Sequence, residues 1–145
     1  MFKGIDISAS GLTAQRLRMD TISSNIANAE TTRDEDGNTY RRKTPIFRQK
    51  LDKQMISGTP GSVNASGSNS AGVEVEEIAE DQSPFRLEYR PEHPDANEEG
   101  YVELPNISVM TEMVNMIDAS RAYEANIQAI SNYKSMANSA LNIST

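Results

Sequence analysis

Near both ends of this 145-residue chain, apolar residues recur at alternating steps of three and four. The N-terminal pattern runs from Ile5 to Glu30, a stretch that contains no proline. Such spacing lines up one narrow apolar stripe along a helix, as in the seam of a coiled coil. It therefore predicts a long N-terminal helix with one stripe against a partner. The candidate interface residues on it are Leu12, Met19, Ile22 and Ile26.

The C-terminal pattern is stronger and runs from about Asn106 to Asn142. A second apolar stripe lies beside the first, and one partner helix cannot cover both. We therefore predict a helix that is buried on more than one side, as in a bundle made by several subunits. Asn106 is the candidate N-cap, and Glu112 adds negative charge near the helix start. The candidate interface residues are Val109, Met113, Met116, Tyr123, Ile127, Ile130 and Leu141.

The part of the chain between these helices differs in character. Residues 57–72 form a Gly/Ser/Asn-rich segment that we predict to be flexible. Phe85, Leu87 and Tyr89 alternate with charged residues, which predicts a half-buried strand. Strand-like runs also occur at 39–49 and 73–76.

The predicted fold class is mainly α with a small β element. Long N- and C-terminal helices pair as a coiled-coil-like bundle and carry a short β-rich middle segment. The predicted divisions are residues 1–32, 33–105 and 106–145, with the two outer parts forming one helical domain.

The composition excludes several classes of function. The formal net charge of −7 leaves no basic surface for a nucleic acid, and the absence of cysteine removes thiolate chemistry. With 37% hydrophobic residues and no Trp, a large self-contained core is not expected. No apolar run resembles a cleaved signal peptide or a membrane span, so we expect no direct membrane insertion.

No candidate catalytic, cofactor-binding or metal-binding residue emerges. His93 is the one histidine and lies between prolines in an extended turn. The calcium-like run that starts at Asp34 lacks Gly at its sixth position and Glu at its twelfth. The basic cluster 41–43 is interpreted as a salt bridge to a neighbouring subunit or as solvated charge. We predict a protein that is not an enzyme, with no small-molecule substrate.

Several separate blocks, taken in order, resemble the axial proteins of the bacterial flagellum, which are its rod, hook and hook-junction subunits. The C-terminal blocks are similar to those of a proximal-rod subunit. The blocks are Ser10–Gln15, Arg18–Asp20, Ser23–Ala29, Tyr89–Ala96, Gly100–Asn106, Thr111–Ile117 and Ser120–Asn126.

This resemblance implies a structural subunit of the basal-body rod, outside the cytoplasmic membrane, that polymerises through its terminal helices around an export channel. It implies copies of itself and other rod proteins as partners, together with the flagellar type III export apparatus. It also implies an export-gate motif, for which Phe47 and Leu51 have the required spacing. The alternatives are another rod or hook-base subunit, or a secreted module, either an enzyme or a binding module, with helical flanks.

Overall fold

The structure is a computed structural model that describes residues 2–33, 37–51 and 70–143. It confirms the predicted fold class of two terminal helices around a small β-rich middle. The elements in chain order are α1 Phe2–Ala27, β1 Lys43–Leu51, β2 Ser70–Glu80, β3 Arg86–Tyr89, β4 Tyr101–Leu104 and α2 Val109–Ile143. The start of the calcium-like run, 34–36, and residues 57–69 of the segment predicted to be flexible lie outside the described residues.

The two helices form an antiparallel pair whose seam is built from small and polar residues. A methyl group on Gly4 would stand 2.6 Å from the ring of Tyr133, and one on Gly11 would stand 2.9 Å from Asn126. Moving seven residues forward along α1, from Gly4 to Gly11, thus corresponds to moving seven residues back along α2, from Tyr133 to Asn126. Glycine at both positions lets the helices approach closely, because each large side chain enters the space that a Cβ would fill.

The first β-sheet packs against α1. β1 and β2 are antiparallel, with irregular register at Ile46/Phe47 and at Lys50/Leu51. The Val73 backbone N–H donates to Ser10 Oγ on α1 at 3.0 Å. This contact fixes which side of the helix pair the sheet covers.

The second sheet is the antiparallel hairpin β3–β4, and β3 confirms the strand that the alternation predicted. Its apolar residues Leu87 and Tyr89 are nevertheless 60% and 63% exposed. The buried side chains come from β4, where Val102 and Leu104 are 1% and 2% exposed. Alternation in β3 was read correctly as a strand period, but it did not say which face is covered.

Candidate assembly surface and its polar junction

The predicted interface residues of both helices converge on one side of the helix pair. Each residue that follows a seam position is rotated by about 100° around its helix. In an antiparallel pair this rotation carries both helices' side chains to the same side. Leu12 and Ile26 on α1 and Met113 and Ile127 on α2 occupy such positions. The sheet contacts α1 on its other side, through Ser10.

Much of this apolar side is uncovered within the chain. Val109, Met113, Ile127 and Leu141 are 42%, 54%, 47% and 67% exposed. Ile22, which is 4% exposed, belongs instead to the intrachain core. The remaining candidates are half-buried, namely Leu12, Met19, Ile26, Met116, Tyr123 and Ile130.

The second stripe of α2 points away from α1. Met110, Val114 and Ile117 are 76%, 54% and 52% exposed and lie opposite the seam side of the helix. The N-terminal third of α2 is therefore apolar on its outer side as well as beside the seam. Contiguous apolar exposure of this kind marks interaction surfaces in folded proteins.

A buried polar junction holds the end of α1 to the beginning of α2. Glu112 and Asn25 are each 1% exposed. Glu112 Oε1 accepts hydrogen bonds from Arg42 Nε at 2.9 Å and Arg42 Nη2 at 2.8 Å. Its other oxygen, Oε2, accepts from Asn25 Nδ2 at 3.1 Å. The buried carboxylate thus has the cationic and neutral donors that its desolvation requires.

Asn25 also joins the helix pair to β1. Its amide accepts from the Lys43 backbone N–H at 2.9 Å and donates to the Lys43 carbonyl at 2.8 Å. The Tyr40 hydroxyl donates to the same Asn25 oxygen at 3.2 Å. One side chain therefore pairs with a strand's backbone as a neighbouring strand would, while it also contacts Glu112 on α2.

Asn106 belongs to this junction and is not the N-cap that the sequence suggested. Its side-chain oxygen accepts from the Arg42 backbone N–H at 3.1 Å, and its amide donates to the Asp81 carbonyl at 3.2 Å. The helix begins at Val109, and the Ser108 hydroxyl accepts from the Thr111 backbone N–H at 3.5 Å. Ser108 thus has the N-cap position because the Asn106 side chain is engaged elsewhere.

The basic cluster acts within the chain, contrary to the interpretation from sequence. Arg42 binds Glu112, and the Arg41 guanidinium lies 4.2 Å from the centre of the Phe85 ring. Arg42 thus fastens the chain before β1 to α2, and Arg41 fastens it to the segment between β2 and β3. Close by, hydrogen bonds from the Ser83 hydroxyl and backbone N–H hold the pKa of Asp81 below its usual value.

The sequence reasoning missed Glu112 and Asn25 as partners. A signal was present, since Glu112, Ala119, Asn126 and Tyr133 follow one another at steps of seven. The search for apolar stripes passed over this row because only one of its residues is aliphatic. Such a row is typical of a seam that sets register through shape and hydrogen bonds.

No arrangement for catalysis or metal binding appears in the described part of the chain. Its residues include no group of three or more His, Asp or Glu side chains placed to hold a metal ion. His93 has a structural contact, in which Nδ1 accepts from the Asp95 backbone N–H at 3.1 Å. Among the described residues, no helix is long and apolar enough to cross a membrane.

The proposed export motif falls on the first sheet. Phe47 is half-buried in β1, and Leu51 is the last residue of that strand. The contacts in the structure do not test whether these two residues act in export, so that role stays a prediction.

Two family models match the two ends of the chain. Residues 5–33 match the flagella basal body rod protein model. Residues 98–143 match the model described as flagellar basal body rod FlgEFG protein C-terminal. The two matched regions contain most of α1 and all of α2.

Curated relatives extend the likeness over nearly the whole chain. The flagellar basal-body rod protein FlgC of Borreliella burgdorferi is 46% identical, over 99% of this chain and 97% of its own. FlgC of Bacillus subtilis is 44% identical, over 98% and 97%. FlgC of Escherichia coli O6:H1 is 39% identical, over 90% and 88%.

Proposed function

This chain belongs to the FlgC family of flagellar basal-body rod proteins and is a non-enzymatic structural subunit of that rod, and we propose that its helix pair is the polymerising part. The observation that carries the proposal is the apolar side of the pair opposite the β1–β2 sheet. There Val109, Met113 and Ile127 remain 42–54% exposed within one chain. Side chains of this kind are stabilised by burial against neighbouring subunits.

Burial of this surface would drive subunit addition. Each Å² of apolar surface removed from water contributes about 25 cal/mol, which is offset by the entropy lost as side chains become ordered. Partners are copies of this chain and other rod proteins, whose terminal helices would present similar stripes. Because close-packed side chains have little free volume, the resulting tube would resist torsion and so transmit motor torque. The same tube would enclose an export channel.

The two apolar sides of α2 fit an assembly with several neighbours per subunit. The side next to the seam and the outer side with Met110 and Val114 point in different directions. One neighbouring helix could cover only one of them. A subunit within a tube has neighbours in several directions, whereas a simple dimer would leave one side bare.

We assign delivery to the flagellar type III export apparatus. Phe47 and Leu51 are the residues we propose for the export gate, on the basis of their spacing. Replacing both by Ala should abolish secretion of the chain while a Gln49→Ala variant is still secreted. Secretion of the double variant at the normal level would remove this assignment and leave the structural role intact.

The test of the whole proposal is mass spectrometry of hook–basal bodies purified from the source cells, with the deletion strain as control. We expect the chain in the complex and no filament in the deletion strain. Absence of the chain from the complex while motility persists would overturn the proposal. The alternative of a secreted module would then be the one to pursue.

A further inference from the structure

The β3–β4 hairpin presents an exposed apolar and aromatic face that the helix-pair proposal does not use. Leu87, Tyr89 and Tyr101 are 60%, 63% and 39% exposed. Tyr89 pairs directly with Tyr101, and Leu87 pairs directly with Glu103. Directly paired residues point to the same side of a sheet, so these four side chains form one surface, which we call the hairpin face.

The hairpin face is preformed. The rings of Tyr89 and Tyr101 meet edge to face, with centroids 5.3 Å apart and an interplanar angle of 65°. Gly100, with φ of +83°, makes this possible, because a Cβ there would stand 2.9 Å from the Tyr89 ring. Little side-chain freedom remains to be lost when a partner binds.

The turn beneath the hairpin face is also held in place. Asn97 Oδ1 accepts from the backbone N–H groups of Glu99 at 3.0 Å and Tyr101 at 2.8 Å. Asp95 accepts from the Thr32 hydroxyl at 2.7 Å and forms a 2.6 Å ion pair with Arg33. These bonds connect the hairpin to the segment that follows α1. The hairpin face therefore keeps a fixed position relative to that segment.

The exposed side chains cannot turn inward, because the opposite face of the hairpin is filled. Val102 and Leu104 occupy it and are 1% and 2% exposed. A one-residue change of register would exchange the two faces and expose both of these side chains. The outward position of Leu87 and the two tyrosines is thus built into the pairing.

The chain that forms the hairpin is rich in acidic residues, and one of them, Glu103, lies on the hairpin face itself. Between residues 86 and 103 there are six acidic residues and two arginines. Arg90 Nη2 forms an ion pair with Glu88 Oε1 at 2.9 Å. Within the described residues, four of the acids form no ion pair, namely Glu92, Glu98, Glu99 and Glu103. A second copy of the same face would meet like charge, which opposes pairing of two such faces.

We propose that the hairpin face docks a different protein through a surface on which Lys or Arg side chains stand among aliphatic ones. Cations lie favourably over exposed tyrosine rings and near carboxylates, while aliphatic groups would bury Leu87. The complementarity of charge selects this partner over the same face of a second copy. The proposal rests on the proposed function only in placing the contact inside the basal body.

The experiment places a photo-crosslinking residue, p-benzoyl-L-phenylalanine, at Leu87 of the full-length chain in its source cells. Basal bodies are irradiated and purified, and the adducts are mapped by mass spectrometry. The same residue at Ile78, 47% exposed on the other sheet, is the matched control. We expect an adduct from position 87 with another protein, on a peptide of net positive charge that position 78 does not reach.

Charge reversal on the same face provides the second measurement. Glu103→Lys should lower the yield of that adduct at least about tenfold, as loss of a central contact does. Glu77→Lys, an exposed acid on β2, should leave the yield unchanged. Thermal unfolding of the purified variants checks that both remain folded, and Glu103→Gln at an intermediate yield would show that charge is the cause.

The outcomes separate this proposal from the rod role. No adduct, an adduct with a second copy, or an adduct on an acidic peptide would overturn the docking face while the chain remains in the basal body. An unchanged yield in Glu103→Lys would also overturn it. Absence of the chain from basal bodies would overturn the proposed function together with the inference that rests on it.

Discussion

A single asparagine side chain joins three parts of this molecule. Asn25 on α1 contacts Glu112 on α2 and both backbone groups of Lys43 on β1. At 1% exposure none of these bonds can be replaced easily by water. The effect of removing it should therefore exceed that of an ordinary surface asparagine.

We expect Asn25→Ala to lower the free energy of unfolding by roughly 3 kcal/mol, because it leaves buried donors and acceptors without partners. Asn28→Ala is the control, since among the described residues the Asn28 side chain bonds only to nearby Ser24 and Thr31. Its cost should stay below about 1 kcal/mol. Urea unfolding of the purified proteins measures both, and equal costs would show that Asn25 has no joining role.

Two glycines provide a matched pair for the hairpin. Gly100 and Gly37 have nearly the same positive φ, +83° and +82°. A Cβ on Gly100 would meet the Tyr89 ring at 2.9 Å, whereas one on Gly37 would have nothing within 4 Å. Gly37→Ala should cost about 1 kcal/mol from backbone strain alone.

Gly100→Ala should cost at least about 1 kcal/mol more, because the Tyr89 ring has to move as well. Urea unfolding compares the two variants, and near-ultraviolet circular dichroism should report the displaced tyrosine only in Gly100→Ala. Indistinguishable variants would mean that the ring contact contributes nothing.

At this scale the sequence was informative about residue type and much less so about partners. Glu112 was correctly expected near a helix start, where negative charge is favourable. Nothing in its neighbours shows that Arg42, seventy positions earlier, provides the compensating charge. Pairings at that separation depend on how α1 and β1 are placed in space, which local patterns do not encode.

At the scale of elements, the helix pair is organised by shape. Gly4 and Gly11 provide the spaces that Tyr133 and Asn126 fill. Intrinsic propensity disfavours glycine inside a helix by about 1 kcal/mol relative to alanine. Its presence at both seam positions of α1 indicates that close approach of the helices outweighs this cost.

Helix propensity and packing therefore predict opposite signs for the change in the free energy of unfolding that Gly11→Leu causes. Propensity alone would stabilise α1, but the larger side chain would displace Asn126 and separate the helices. We expect a net loss of about 2 kcal/mol in the free energy of unfolding. Ala9→Leu, at an exposed position of the same helix, should change it by less than about 0.5 kcal/mol. Stabilisation by Gly11→Leu would contradict the close packing of the two helices at this position.

The elements themselves were partly predictable, since strong periodicity over long segments identified both helices and two-residue alternation identified β3 and part of β2, whereas β4 was not predicted. The side of each strand that faces inward was not predictable for β3. Leu87 and Tyr89 look like core residues in sequence, and they stay outside because β4 provides the buried side chains of the hairpin. An interaction surface and a core share the same alternation, and only the surrounding elements distinguish them.

At the scale of the whole molecule, the proposed function assigns stability and assembly to different surfaces. The seam and the polar junction hold one chain together, whereas the apolar side with Met113 and Ile127 is available to neighbours. A substitution on that side should therefore impair the rod and leave the monomer folded.

We expect Ile127→Asp to lower the number of copies per basal body at least about tenfold, because an unpaired charge would be buried between subunits. Met116→Asp should block incorporation as well, with some loss of monomer stability since Met116 is half-buried. Gln82→Asp, at an exposed position between β2 and β3 and away from the helix pair, is the control and should assemble normally. Quantitative mass spectrometry and swimming assays measure the effect, and normal motility of Ile127→Asp would contradict the assembly surface.

The polar junction has a mechanical consequence. Between the helix pair and β1, load would pass through the short bonds of Asn25 to Lys43 and the ion pair of Arg42 with Glu112. Such a joint is rigid at small displacement and fails abruptly once its few buried bonds break. A force applied to the β elements would thus rotate the helices with them, with little elastic lag between the two parts of the subunit.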